Sequence, residues 1–285
     1  MFRFPIGVIL ESFKTDRSTA IQKAAALGAQ GIQMYATNGA NSPENLTAAA
    51  RRALLDEVKS QGLVFSALCG DLGHGFGTKE LNDGLIEKSK RILDLAKDLE
   101  TNVVTTHIGV VPADKNHERY KIMQEACFAL ASYADSIDAH FAIETGPEPS
   151  TVLKEFLDGL HSTGVAVNLD PANLAMVVGD DAAEAVYNLR RYIVHTHAKD
   201  GKMYRYVDPE YVYRIVHPVP EEIRRERAHE ELPLGTGSVD FDKYLKALEE
   251  IGYRGFLTIE REVGENPEAD IYTAKQYLET VIGRN

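Results

Sequence analysis

Four residues of types that bind divalent metals follow short apolar runs in the second half of the chain. These residues are Glu144, Asp170, His197 and Glu260. Three carboxylates and one imidazole make an oxygen-rich ligand set that suits a hard divalent cation. The sequence therefore predicts a metal site, provided that the fold brings these four side chains together.

The spacing of the four residues indicates how they converge. Asp170 comes 26 residues after Glu144, His197 comes 27 residues after Asp170, and Glu260 comes 63 residues after His197. A βαβ unit takes roughly 30 residues, so the last interval fits two units with an insertion. In a barrel of parallel strands, active sites are built at the carboxyl ends of the strands. We expect the four residues to meet there.

The direction of the side chains supports a shared inward-facing site. Residues two apart on a strand share a face, so Glu144 points with Ala142, and His197 points with His195. Ionisable groups that face a barrel interior are costly unless they are paired or bound to a metal. The alternative is that these strand-end residues face solvent, and four of them in register argue against it.

The rest of the chain alternates strand and helix eight times, which is typical of an α/β protein with a parallel sheet. Strands are predicted at about 4–12, 31–36, 63–69, 102–108, 141–144, 165–170, 192–197 and 255–260. Helices are predicted at about 18–27, 43–61, 80–99, 117–139, 150–163, 180–191, 241–251 and 267–282. We expect a single (β/α)₈ TIM-barrel domain over residues 1–285, with an insertion at about 201–234 after the seventh strand. An open doubly wound sheet is disfavoured because the first strand–helix turn contains no glycine fingerprint.

Composition limits the partners of the chain. Its 285 residues carry a formal net charge of −12, which disfavours nucleic acids and anionic membranes. The sequence contains no apolar stretch long enough to span a membrane and no signal peptide. Cys69 and Cys127 lie in apolar segments, so we expect reduced structural thiols and a cytoplasmic protein. A homo-oligomer is compatible with the sequence.

Several motifs resemble those of the xylose isomerase-like TIM barrels, in particular the sugar phosphate isomerases and epimerases. The matching segments are Ala142–Gly146, Asn168–Asn173, His195–Asp200, Leu234–Phe241, Gly252–Tyr253 and Leu257–Glu262. The resemblance covers nearly the whole chain. It is specific for the fold and the metal site but not for the substrate, because the superfamily also contains dehydratases and an endonuclease.

The resemblance implies that Glu144, Asp170, His197 and Glu260 hold one divalent ion, namely Mn²⁺, Mg²⁺ or Co²⁺, with Zn²⁺ as a further candidate. It also implies that Glu144 and Glu260 act as the acid/base pair on a small carbohydrate. A divalent ion polarises a carbonyl and stabilises the enediolate that forms when a carboxylate removes the neighbouring proton. Two positions depart from the ketose 3-epimerases: Asn173 replaces a histidine, and Met203 replaces an arginine.

Further residues are candidates for contact with the substrate. His107 ends the fourth strand beside the proposed site, and His74 lies in a glycine-rich loop. The other candidates are Asn173, Lys199 and Glu148. His195 lies one layer deeper and is expected to support the site rather than to bind the ion.

The leading hypothesis is a metal-dependent isomerase or epimerase of a small sugar or keto-sugar, phosphorylated or not. A lyase or dehydratase that acts on a keto-sugar or inosose with the same site is the main alternative. A nuclease of the endonuclease IV type is more remote, because that chemistry uses a zinc cluster with more histidines and a basic surface. A sugar-binding subunit without catalysis also remains open.

Overall fold

Eight parallel strands close into a barrel in the computed structural model, which describes residues 3–284. The first seven barrel strands are β1 (Ile6–Ile9), β2 (Gly31–Tyr35), β3 (Val64–Cys69), β4 (Val103–Thr106), β5 (His140–Glu144), β6 (Val165–Leu169) and β7 (Ile193–Ala198). Two further strands, β8 (Asp200–Met203) and β9 (His229–Leu232), form a separate antiparallel pair. The eighth barrel strand is β10 (Leu257–Ile259). Each barrel strand pairs with the next, and β10 closes the ring against β1. The predicted TIM barrel is confirmed.

Helices connect the strands and pack against the outside of the barrel. The longer helices are Arg17–Leu27, Ala48–Ser60, Lys79–Asp98, Glu118–Ser136, Ser150–Asp158, Ala182–Leu189, Phe241–Glu250 and Pro267–Arg284. Shorter helical segments are Leu10–Phe13, Gly39–Asn41, Pro171–Asn173, Leu174–Val178, Pro209–Val212 and Glu221–Arg225. Outward-facing strand residues such as Ile32 and Val167 pack with helix residues such as Ile21 and Leu130 in one continuous core. Within residues 3–284, no helix has both the length and the apolar character needed to cross a bilayer.

Two predicted boundaries differ from the structure. The first strand ends at Ile9, and a 3₁₀ turn replaces its predicted second half. The second helix begins at Ala48 with Thr47 as its cap, because the Thr47 hydroxyl accepts from the amide of Ala50 at 3.2 Å. Ser42, which directly precedes the predicted start of this helix at residue 43, instead donates its hydroxyl to the carbonyl of Gly39.

The segment after β7 contains a β-hairpin that the sequence did not reveal. In the pair formed by β8 and β9, Asp200 lies opposite Leu232 at one end and Met203 lies opposite His229 at the other. Two short helices lie between the two strands in the sequence. The sequence predicts an insertion at about 201–234 but not this pair of strands. The hairpin is hard to predict because β9 reads His-Glu-Glu-Leu and lacks the apolar alternation of an ordinary strand.

Asp200 ties the hairpin to the loop that follows it. Its buried carboxylate accepts hydrogen bonds from the amides of Gly201, Gly235, Gly237 and Val239 at 2.8–3.1 Å. A Cβ at Gly237 would lie only 2.1 Å from this carboxylate, so the close approach requires glycine. One side chain therefore holds the start of the hairpin and the entry to the helix Phe241–Glu250.

Replacing Asp200 by alanine is expected to lower the free energy of unfolding by about 3 kcal/mol or more. The reason is that several buried amides lose their acceptor, at a cost of about 1–3 kcal/mol each. Urea unfolding followed by circular dichroism measures the change. Asp56→Ala, on an exposed helix face, is the control and should stay within about 0.5 kcal/mol of the parent chain. Equal losses in both variants would contradict this role of Asp200.

Candidate active site

The structure brings together the four residues that the sequence predicted as metal ligands. Glu144 ends β5, Asp170 follows β6, His197 lies near the end of β7, and Glu260 follows β10. One ligand atom from each lies within 4.8 Å of every other, and all four side chains are buried. The carboxyl ends of four barrel strands thus form one cluster, as the spacing indicated.

His197 faces the three carboxylates with one ring nitrogen. Its Nδ1 lies 3.2 Å from Glu260 Oε2, 3.3 Å from Asp170 Oδ2 and 3.6 Å from Glu144 Oε1. On the other side of the ring, Nε2 lies 3.2 Å from Gln33 Oε1. A proton on Nε2 that is donated to Gln33 fixes the ring so that Nδ1 faces the carboxylates. Nδ1 carries a proton there in the absence of an ion, and a metal would bind at Nδ1 in place of that proton.

A chain of hydrogen bonds one layer deeper fixes Glu144. The hydroxyl of Thr258 lies 2.9 Å from Nε2 of His195, and Nδ1 of His195 lies 2.9 Å from Oδ1 of Asn168. Nδ2 of Asn168 then donates to Glu144 Oε2 at 3.2 Å. Burial holds the pKa of His195 well below its usual range, so the ring is neutral and donates from Nδ1 while it accepts at Nε2. His195 therefore lies beneath the cluster, where the sequence prediction placed it.

Asp170 is oriented by the turn that follows its strand. Its Oδ1 accepts from the amide of Asn173 at 2.8 Å and caps the short helix Pro171–Asn173. The Thr145 hydroxyl accepts from the Asp170 amide at 2.8 Å. Oδ2 is left facing His197, so local backbone geometry turns one carboxylate oxygen toward the cluster.

Buried positive charge balances the carboxylates. Burial raises the pKa of Glu260, but the ammonium of Lys199 and the imidazole of His197 outweigh burial and hold that pKa well below its usual range. Burial lowers the pKa of His197, yet the facing carboxylates of Glu260 and Glu144 raise it well above its usual range. The pKa of Asp170 is raised, mainly by burial. Within the cluster, His197 and Lys199 thus carry the compensating charge.

Lys199 joins the cluster to the hairpin. Its Nζ lies 3.0 Å from Glu260 Oε2, 2.6 Å from Glu262 Oε2 and 3.9 Å from Glu231 Oε2, and its side chain is only 3% exposed. Glu231, on β9, also accepts from Arg261 Nη1 at 2.7 Å. Lys199 lines the central cavity, and its contact with substrate remains a prediction. Its ion pair with Glu260 shows that it also holds that carboxylate in position.

A cavity of about 370 Å³ opens above the cluster, with Glu144, His197 and Glu260 in its lining. Three of the predicted substrate-binding residues, His107, Asn173 and Lys199, line the same cavity. His107 Nε2 lies 3.5 Å from Glu144 Oε1, and Asn173 Nδ2 donates to the same oxygen at 3.1 Å. The lining also includes residues that the sequence did not predict as part of the site: Gln33, Tyr35, Cys69, Asp71, Tyr213 and Glu262.

The other two predicted substrate-binding residues lie elsewhere. His74 is exposed and lines a neighbouring cavity instead. Glu148 is buried and accepts from the amide of Val111 at 3.0 Å, outside the lining of the central cavity. Their contact with substrate remains a prediction.

Tyr213 is the most informative residue that sequence reasoning missed. It comes from the insertion, and its ring centroid lies 5.7 Å from that of His107. A Cβ at Gly146 would lie 3.0 Å from its hydroxyl and 2.4 Å from Asn173 Cβ, so glycine lets these groups close over the cluster. Burial holds the pKa of Tyr213 well above its usual range, which keeps the phenol protonated. Only the three-dimensional path of the insertion reveals this position.

Comparison with known proteins agrees with this geometry. The family model described as "Xylose isomerase-like TIM barrel" matches residues 21–281. This chain belongs to the xylose isomerase-like TIM barrel family. A curated relative, the putative L-ribulose-5-phosphate 3-epimerase SgbU of Haemophilus influenzae, is 24% identical over 90% of this chain and 87% of its own length.

Solved structures share the fold of this xylose isomerase-like barrel. A xylose isomerase domain protein from Planctomyces limnophilus superposes with a TM-score of 0.79 at 24% identity, covering 99% of this chain and 98% of the other. The probable 3-DHS dehydratase AsbF of Bacillus anthracis gives a TM-score of 0.71 at 19% identity, with 96% and 98% covered. Both similarities extend along the whole barrel.

The residues of this family member fit a divalent ion. The cluster offers three carboxylates and one imidazole nitrogen, which is a donor set for hard or borderline divalent cations. Glu260 Oε2 is buried, and its contacts with Lys199 Nζ at 3.0 Å and His197 Nδ1 at 3.2 Å are ion pairs without hydrogen-bond geometry. Gln33 positions the imidazole and Asn168 positions Glu144, so the ligand atoms are oriented before any ion arrives.

Replacing Lys199 by methionine is expected to destabilise the chelator-treated protein by about 3 kcal/mol or more, because removing one partner of a buried ion pair leaves charge uncompensated. Urea unfolding measures the loss. Lys202→Met, an exposed lysine in the same hairpin, should change stability by less than about 1 kcal/mol. A loss no larger than that of the control would show that Lys199 does not balance the cluster.

Glu148 is expected to make stability depend on pH. Burial raises its pKa to about 8 from an ordinary value of 4.5, so the folded state retains a proton that the unfolded state releases. Stability should therefore be greatest below about pH 4.5 for this group and should fall as the pH rises toward 8, by up to about 1.4 kcal/mol per pH unit. Glu148→Gln should lose this slope. Urea midpoints from pH 5 to 9 test the prediction, and identical profiles for the two proteins would refute it.

Proposed function

We propose that this protein is a divalent-metal-dependent isomerase or epimerase of a small sugar or keto-sugar. It would move a proton on the carbon next to a carbonyl, through an enediolate. The observation that carries the proposal is the placement of two carboxylates, Glu144 and Glu260, in one buried cluster beneath a cavity of about 370 Å³. A proton next to a carbonyl is only weakly acidic, so its removal needs both a positioned base and stabilisation of the resulting negative charge.

The two glutamates are supported differently, which suits two roles in proton transfer. Glu144 is held by the amides of Asn168 and Asn173, whereas Glu260 faces the ammonium of Lys199. Burial raises the pKa of Glu144, but the imidazoles of His107 and His197 hold it below its usual range. Both groups are thus carboxylates that can accept a proton. In an isomerase one of them would take and return the proton, and in an epimerase one would remove it while the other delivers a proton to the opposite face.

The divalent ion would be held by Glu144, Asp170, His197 and Glu260, and it would supply Lewis-acid polarisation of the substrate carbonyl. Mn²⁺, Mg²⁺ and Co²⁺ fit the donor set, and Zn²⁺ is a further candidate. Asn173, His107 and Tyr213 would orient the sugar hydroxyls, since each lines the cavity. Burial raises the pKa of Tyr213 well above its usual range, so its phenol stays protonated and would donate to a sugar hydroxyl.

The curated relative supports the sugar assignment but not a particular sugar. It is named as a putative L-ribulose-5-phosphate 3-epimerase. Asn173, which replaces a histidine of the ketose 3-epimerases, donates to Glu144. Met203, which replaces an arginine, lies on the hairpin near Gly179 rather than in the cavity lining. These two replacements favour a substrate with a different hydroxyl pattern from that of the ketose 3-epimerases.

A lyase or dehydratase is the second candidate, and His107 is the observation that favours it. Its Nε2 lies 3.5 Å from Glu144, and its buried Nδ1 has no partner among the described residues. An imidazole beside the base could protonate a departing hydroxyl after the first proton is removed. Product masses separate the candidates, because isomerisation conserves substrate mass and dehydration loses water.

Glu260→Gln, assayed at saturating Mn²⁺, is expected to slow proton exchange by about 10²–10⁴-fold, which is typical for the loss of a general acid or base. The measurement is solvent-deuterium uptake into candidate ketoses, followed by mass spectrometry. Glutamine keeps an oxygen ligand, so metal content is measured in the same samples to separate loss of the base from loss of the ion.

Glu265→Gln is the matched control, because Glu265 is exposed after the same strand, and its exchange rate should equal that of the parent chain. Unchanged deuterium uptake in Glu260→Gln with bound metal would rule out Glu260 as a base. Metal binding without exchange in any sugar would favour the non-catalytic binding subunit instead.

A further inference from the structure

A second cavity adjoins the one above the metal cluster. It has a volume of about 460 Å³, and three residues, Asp71, His107 and Tyr213, line both cavities. The rest of its lining comprises Gly73, His74, Gly75, Gly109, Arg214, Ile215 and His217. The shared residues place the two cavities side by side at the same end of the barrel.

The polar linings of the two cavities differ in character. The first contains the carboxylates Glu144, Glu260 and Glu262. The second contains one guanidinium and three imidazoles, from Arg214, His74, His107 and His217, against a single carboxylate, Asp71. That carboxylate is partly engaged, since its Oδ1 accepts from the amide of Gly73 at 2.8 Å. In a chain with a net charge of −12, this concentration of nitrogen donors is a local exception.

The donors of the second cavity are not consumed by the fold. The side chains of Arg214, His74 and His217 are exposed, and no hydrogen bond or ion pair engages them among residues 3–284. The buried Nδ1 of His107 also has no partner in that range. Two surface arginines elsewhere in the insertion, Arg225 and Arg227, pair with Glu221 and Glu230. Arg224 is exposed as well but lies outside the lining of this cavity.

Both walls of the second cavity are fixed. On the barrel side, Phe76 donates its amide to Ile108 at 2.9 Å, and a Cβ at Gly75 would lie 2.6 Å from the same carbonyl. On the insertion side, Glu210 forms an ion pair with Arg119, and its carbonyl accepts from the amide of Ile215 at 2.7 Å. The donors are therefore carried by segments that already have defined positions, which favours ligand binding.

We propose that the second cavity binds an anionic group at the far end of the substrate, a terminal phosphate or carboxylate, while the carbonyl end lies beside Glu144 and Glu260. This inference rests on the proposed function, because it names the substrate class of the same site. A guanidinium binds either anion through paired N–H groups, and imidazoles add further donors. A neutral second sugar fits less well, since its hydroxyls need acceptors and the second cavity offers one carboxylate.

The test compares ligands that differ only in the anionic group. The pairs are a 2-ketopentose with its 5-phosphate, and a 2-ketohexose with its counterpart carrying a terminal carboxylate. We expect kcat/KM to favour an anionic member by about tenfold or more, and Arg214→Gln to reduce that preference by about tenfold. Arg224→Gln, an exposed arginine of the same insertion outside the cavity lining, should keep the preference of the parent chain.

A binding measurement separates this inference from the proposed function. Xylitol 5-phosphate has no carbonyl and cannot be isomerised, so calorimetry of its binding to the metal-loaded protein needs no turnover. Binding that Arg214→Gln weakens about tenfold supports the anion site, even if no ketose reacts. Turnover of neutral and anionic ketoses at equal efficiency, with no effect of Arg214→Gln, would overturn the anion site while leaving the isomerase intact. Preference for a neutral disaccharide would also overturn it.

Discussion

Three carboxylates buried around one imidazole are the constraint on which the rest of this structure depends. Taking an ion out of water costs several kcal/mol even after the protein relaxes, and ligand atoms within 4.8 Å of one another repel strongly if they share a sign. The chain offsets this cost with two buried cations, His197 and Lys199. A divalent ion would take the place of the proton on His197 and supply the positive charge in its stead. The cluster is thus stable only as a balanced set, and each member is held by contacts outside it.

Those contacts are arranged in layers inside the barrel. Small side chains, Ala67, Ala142 and Ala166, fill the lowest layer. Asn168, His195 and Thr258 form the hydrogen-bonded layer above, and a Cβ at Gly7 would lie 2.8 Å from the Thr258 hydroxyl. The ionised layer lies on top of these. Since inward-facing residues alternate along each strand, the apolar, neutral-polar and charged layers follow from the order of residues in β5, β6, β7 and β10.

This layering explains what could be predicted from the sequence. Glu144, Asp170, His197 and Glu260 were recognisable because each ends an apolar run and because their spacing matches the βαβ repeat. Gln33 also faces the cavity, from the middle of β2, but a single glutamine within a strand has no spacing pattern that would reveal its contact with His197. The early end of β1 and the shifted start of the second helix depended on single side-chain hydrogen bonds and local turns, which periodicity does not encode. Tyr213 and Arg214 depended on how an irregular insertion returns over the barrel.

The insertion and the barrel are coupled through charge as well as shape. Glu231 comes from β9, yet its carboxylate lies 3.9 Å from Lys199 and accepts from Arg261, which follows Glu260 in sequence. Lys199 in turn pairs with Glu260. Displacing the hairpin would therefore take the Glu231 carboxylate away from Lys199 and change the electrostatic environment of the ion pair between Lys199 and Glu260. The same insertion carries Tyr213 into the lining of the cavity, so the position of Tyr213 and the ion pairs of the hairpin both depend on the placement of the insertion. Coupling between two parts of a protein is reciprocal, so a change in the charge of the cluster should act on the insertion through Lys199, and a displacement of the insertion should act on the cluster through the same residue.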